Sequence, residues 1–148
     1  MIYREATKDD LVDISRLGEL FYKESGYAEY ADYKYSSVFE TMNFLLTSPM
    51  GLLVVAEEEK IVGIAGVILF PFYFNHSFLC GQELFWYVEP EYRGIGNHLY
   101  NYLEEKAREK GCQALIMIAL EKLHPKAVGK IYERKGYKKH ENLYIKRL

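Results

Sequence analysis

At 148 residues, 49% apolar and 27% charged, the chain has the size and balance of a single globular domain over 1–148, with a core of its own. A net charge of -2, from 19 basic against 21 acidic residues, supplies no field for nucleic acid, and no apolar run reaches the roughly 20 residues of a membrane helix. Neither end carries an export signal, so a cytoplasmic location is expected, and Cys80, Cys112 and the four histidines show no metal-site or disulfide spacing.

Ile2 to Ala6 reads as a short strand, and Thr7 to Asp10 as a capping box opening a helix to about Lys23, with Leu11, Ile14, Leu17 and Phe21 at helical spacing. Glu24 to Tyr35 is an aromatic loop carrying Tyr27, Tyr30, Tyr33 and Tyr35, and a second helix fits Ser36 to Leu46. Leu52 to Ala56 and Ile61 to Phe70 read as an antiparallel hairpin, and Phe78 to Val88 as a third long strand ended by Glu89-Pro90. From Ile95 an amphipathic helix runs to a glycine cap at Gly111. Ala114 to Ala119 is an apolar strand, expected to return parallel to the strand ending at Val88. Pro125 to Lys135 makes the last helix, stopped by Gly136, and Tyr137 to Lys139 with Asn142 to Lys146 is expected to close the chain as a strand pair.

The order strand, Glu-Pro turn, Gly-x-Gly, helix places Gly94 to Asn97 at a helix N-terminus, where backbone amides and the dipole favour an anion. Gly94 and Gly96 permit positive φ and a close approach of ligand to backbone, and Arg93 adds fixed charge beside them. A phosphate-bearing ligand is expected. Two nucleotide readings fail on the letters: no Gly-Lys-Ser/Thr follows the turn, and Leu99 stands where a dinucleotide fingerprint needs its third glycine.

Tyr87-Val88-Glu89-Pro90-Glu91-Tyr92-Arg93-Gly94-Ile95-Gly96 resembles the acetyl-CoA motif of the GNAT N-acetyltransferase superfamily, generally [QR]-x-x-G-x-[GA], with Arg93-x-x-Gly96 as the matching part and His98 in place of the usual Gly or Ala. Val128 to Tyr137 is similar to the family's closing helix, A-x-x-x-Y-E-K-x-G-F, though the asparagine often found near its start is replaced around His124-Pro125. The resemblance spans nearly the whole chain and implies an α/β GNAT fold: a mixed, mostly antiparallel sheet splayed at the cofactor site and flanked by about four helices.

It further implies an N-acetyltransferase that passes an acetyl group from acetyl-CoA, its cosubstrate, directly to a primary amine in a ternary complex. The cofactor would lie on Tyr87, Val88, Arg93, Gly94, Ile95, Gly96, Asn97 and His98, its pantetheine arm pairing with strand backbone near Trp86 to Val88. Tyr132 matches the tyrosine that protonates the leaving sulfur, and Glu83 stands near the position of the carboxylate base; an amide near Val88 would hold the oxyanion. Tyr27 and Tyr30 suggest an acceptor pocket for a small-molecule amine or a protein amine. The aromatic run Pro71 to Phe78 reads as a homodimer seam, a pocket wall or packed strand residues. Lys122, Lys126 and Lys130 at the last helix are either contacts for the cofactor's far phosphates or a solvated face. An acyl-CoA-binding regulatory or scaffold protein without catalysis is the alternative of a different class.

Overall fold

The computed structural model describes residues 1–148. Strands β1 (Ile2–Glu5), β2 (Gly51–Glu57), β3 (Ile61–Phe72), β4 (Asn75–Val88) and β5 (Ala114–Ile116) form an open sheet in the order β1-β2-β3-β4-β5. Neighbours run antiparallel except β4 and β5, which are parallel because helix α3 (Gly96–Glu109) carries the chain back between them. Helices α1 (Leu11–Ser25) and α2 (Tyr35–Thr47) pack against the sheet, and α4 (Pro125–Arg134) closes the chain near the end of β4.

Alternation along the strands makes two cores. Leu53 and Val55 of β2 meet Ile14, Leu17 and Leu45 of α1 and α2, while Leu52, Val54 and Ala56 meet Leu99, Leu103 and Ala107 of α3. This is the buried signature that the apolar run Leu52 to Ala56 carries: a strand covered on both faces needs no polar alternation. The expected glycine stops are present, Gly111 after α3 at φ 87° and Gly136 after α4 at φ 90°.

Two expectations at the C-terminal side are corrected. The strand expected over Ala114 to Ala119 ends at Ile116, because the amide and carbonyl of Ile118 are taken by side chains and not by a strand ladder. The terminal strand pair does not form: residues 137–148 contain no strand, and Tyr144 is 92% exposed. A β5 of only Ala114–Ile116 offers too few ladder hydrogen bonds to offset the entropy of ordering another strand. At the opposite end of the sheet, the β3–β4 turn projects a cluster of rings, Phe72, Tyr73, Phe74 and Phe78, of which Phe74 is 81% exposed.

Candidate active site

Between β4 and β5 the sheet opens. β5 pairs only with Cys80, Gly81 and Gln82, so β4 from Glu83 to Val88 has a strand partner on its β3 side alone. Just there β4 carries an extra residue: Gly66 pairs Phe85 and Val67 pairs Glu83, leaving Leu84 as a bulge. A bulge re-aims its neighbours. Phe85 and Tyr87 point into the core under α1, whereas the Glu83 carboxylate meets Tyr132 of α4, whose ring also lies 6.1 Å from Trp86.

Glu83 is 5% exposed. Its Oε2 accepts the Ile118 amide at 2.9 Å and lies 3.4 Å from the Tyr132 hydroxyl. Burial lifts its pKa to about 7, the two hydrogen bonds offsetting only part of that rise. Tyr132, 7% exposed, donates to the Ile118 carbonyl at 2.9 Å. Burial, and after it the negative charge of Glu83, pushes its phenol well above the ordinary tyrosine value, so it keeps its proton at neutral pH. A carboxyl that half-ionises near neutrality thus stands beside a phenol that stays protonated, a pair able to take one proton and give another.

Around them rings form a wall. Trp86 lies 5.8 Å from Tyr100, and Tyr132 lies 5.6 Å from Tyr137. The Tyr100 hydroxyl is committed to Glu104 and Tyr137. The Trp86 Nε1 atom, by contrast, is buried and has no hydrogen-bond partner.

The Gly-x-Gly turn differs in detail from its sequence reading. Pro90–Ile95 is a 3₁₀ segment running into α3; neither Gly94 nor Gly96 adopts positive φ, and Gly96 sits at φ -53°. Their use is spatial. A Cβ at Gly94 would meet nothing within 4 Å, leaving that backbone open, and one at Gly96 would touch Trp86 Cζ2 at 3.4 Å. Ile95 is half-buried and Asn97 exposed. The Arg93 guanidinium pairs with Glu24 of α1 at 2.6 Å, so its charge is already matched. Tyr87 donates to the same carboxylate at 2.6 Å; burial and that bond push its pKa up to about 12, and only its backbone faces the gap. Val88 packs under α3. The His98 ring lies 6.0 Å from that of Tyr3 on β1.

Of the two tyrosines expected at an acceptor pocket, Tyr27 lies close enough to Glu83 that, after burial, that carboxylate's charge raises its phenol. Tyr30 is half-buried and neighbours Lys122, which pairs with Glu29. Glu89, buried beside Pro90, forms ion pairs with Arg16 and, at 3.1 Å, Lys60; burial works to raise it, but these partners outweigh burial and hold it below the usual carboxylate range. Its work is to anchor the end of β4. Sequence reasoning did not find Glu24, Ile118 or the Trp86 side chain; only Trp86 left a signal, as the single tryptophan of the chain.

The model of the acetyltransferase (GNAT) family matches residues 13–137. The chain belongs to the GNAT acetyltransferase family. Solved structures share the GNAT fold along the full length. A predicted acetyltransferase of Clostridium acetobutylicum, solved with acetyl-CoA, superposes with a TM-score of 0.76 at 20% identity, covering 98% of this chain and 95% of that one. The ribosomal-protein-alanine N-acetyltransferase of Brucella melitensis biovar Abortus gives 0.72 at 20% identity over 100% of both chains. An aminoglycoside 6'-N-acetyltransferase of Acinetobacter haemolyticus gives 0.71 at 17% identity, covering 100% of this chain and 99% of that one. No curated protein sequence matches the chain. The open five-stranded sheet with four helices is the GNAT fold that the two motifs implied.

Proposed function

We propose that the protein is an acetyl-CoA-dependent N-acetyltransferase, passing an acetyl group to a primary amine within a ternary complex in the cytoplasm. The observation that carries this reading is the Glu83–Tyr132 pair, a carboxyl of pKa about 7 beside a protonated phenol, set where β4 loses its strand partner.

The residues present fit acetyl-CoA. The unpaired edge of β4 from Glu83 to Val88 offers backbone groups to the amides of an extended arm, and a buried indole donor lies there without an acceptor. The open backbone at Gly94, with Ile95, Gly96 and the exposed Asn97 at the start of α3, suits a pyrophosphate at a helix N-terminus. Arg93 contributes backbone there, its side chain being held by Glu24.

Acetyl-CoA supplies an acyl group activated as a thioester. An amine attacks only when deprotonated, and in this reading the Glu83 carboxylate takes its proton. Tyr132, kept protonated by its surroundings, then protonates the departing sulfur. The backbone amide at Val88 is the preorganised donor for the oxyanion. Tyr27, near Glu83 and partly exposed, forms one side of the acceptor pocket. The similar structures named for ribosomal-protein alanine and for an aminoglycoside leave both protein and small-molecule amines as acceptor classes.

Thiol release from acetyl-CoA against a panel of small amines and peptide N-termini tests the reading. Amine-dependent release supports it. Tight acetyl-CoA binding with no release from any amine would instead make the protein a non-catalytic acyl-CoA binder.

A further inference from the structure

We infer that the Trp86 indole N–H is a dedicated hydrogen-bond donor to a carbonyl oxygen of the pantetheine arm of acetyl-CoA. The inference rests on the acyltransferase reading above and names a binding side chain within that site.

Trp86 Nε1 is the buried side-chain polar atom that the fold leaves without a partner. Native interiors rarely leave such a donor unmet, and a phenylalanine would carry no polar atom to bury. No acceptor lies within hydrogen-bond reach of it, the Tyr132 and Tyr100 hydroxyls being turned to Ile118 and to Glu104 and Tyr137. Tyr100 lies 5.8 Å and Tyr132 6.1 Å from the ring, and Cζ2 and Cε2 lie 3.4 and 3.8 Å from a Cβ built on Gly96. The indole therefore sits among α4, the start of α3 and the unpaired stretch of β4.

Chemistry narrows the partner. An indole nitrogen donates and cannot accept, so the ligand atom is a lone-pair oxygen. Trp86 belongs to the unpaired stretch of β4, beside the backbone of Tyr87 and Val88. An extended arm laid along that edge brings amide and thioester carbonyls past the ring, whereas the phosphates belong at the open Gly94 turn. An arm along that edge gives the buried N–H the acceptor that the fold does not supply.

The test uses the whole protein. Trp86 is the single tryptophan, so its indole N–H gives one cross-peak in a nitrogen–proton NMR spectrum. Titration with acetyl-CoA is expected to move that proton downfield and slow its exchange with solvent. Calorimetry is expected to show Trp86→Phe binding acetyl-CoA about threefold to tenfold more weakly, the effect of one neutral hydrogen bond, with affinity for adenosine bisphosphate, which has no arm, unchanged. An unmoved indole proton at saturating acetyl-CoA overturns the inference while leaving the acyltransferase reading intact. Equal losses for both ligands overturn the assignment to the arm. No acetyl-CoA binding by the wild-type protein would overturn both readings.

Discussion

Glu83 and Tyr132 hold opposite ends of the same residue: the carboxylate accepts the Ile118 amide and the phenol donates to the Ile118 carbonyl, each at 2.9 Å. These two bonds take the backbone groups that would have continued the β4–β5 ladder. The pair proposed for proton transfer therefore also keeps the sheet open where the cosubstrate must enter.

Glu83→Gln should remove the general base, lowering kcat/KM for the preferred amine about 100-fold or more. In the wild type, kcat/KM should climb through the pKa of about 7 as the carboxylate ionises. A pH profile with the same rise in both proteins would rule Glu83 out as the base.

Stability should move the other way. The Glu83 pKa is raised from 4.5 to about 7 on folding, so the folded state favours the neutral form; the associated stability is present below pH 4.5 and is lost as pH rises through about 7. Glu83→Gln, permanently neutral, should therefore be more stable than wild type at pH about 8, by about 2 to 3 kcal/mol. The gap should close at pH about 4. Urea titrations at the two pH values measure it, and an equal offset at both would contradict the burial argument.

Tyr132→Phe deletes the proton donor and frees the Ile118 carbonyl. A fall in kcat of about 100-fold with little change in acetyl-CoA affinity is expected. A loss confined to KM would mean that the phenol binds and does not protonate.

Arg93→Ala separates two assignments of that guanidinium. Paired with Glu24 and partly exposed, it should contribute less than about 1 kcal/mol to stability. Calorimetry should show less than about a threefold change in acetyl-CoA affinity, below the effect of a lost charged contact. A tenfold or larger loss would return Arg93 to the phosphates.

Asp10 governs acid tolerance. Arg4 grips it at 2.7 and 2.9 Å and holds its carboxyl down at about 2, with the Thr7 amide and hydroxyl adding to the effect. Stability from this cluster is present above the unfolded value of 3.8 and should be shed as pH falls towards 2. Asp10→Asn should cost about 2 kcal/mol at neutral pH and flatten the acid limb of the melting profile.

What the sequence determined by itself is local. Alternation and apolar runs placed the strands, helical spacing and the Thr7–Asp10 turn placed α1, and Gly111 and Gly136 marked helix ends, because each signal is a property of a few neighbouring residues. The two motifs placed Gly94 to Asn97 at a helix start and Tyr132 on the last helix for the same reason. Tertiary structure decided the rest. Where Arg93 and His98 point depends on Glu24 and Tyr3, which lie far away in sequence. The end of β5 at Ile116 depends on Glu83 and Tyr132 competing for the backbone of Ile118, and the pKa of Glu83 depends on what buries it. Hydrogen-bond competition and burial are sums over distant parts of the chain, and no short window of residues carries them.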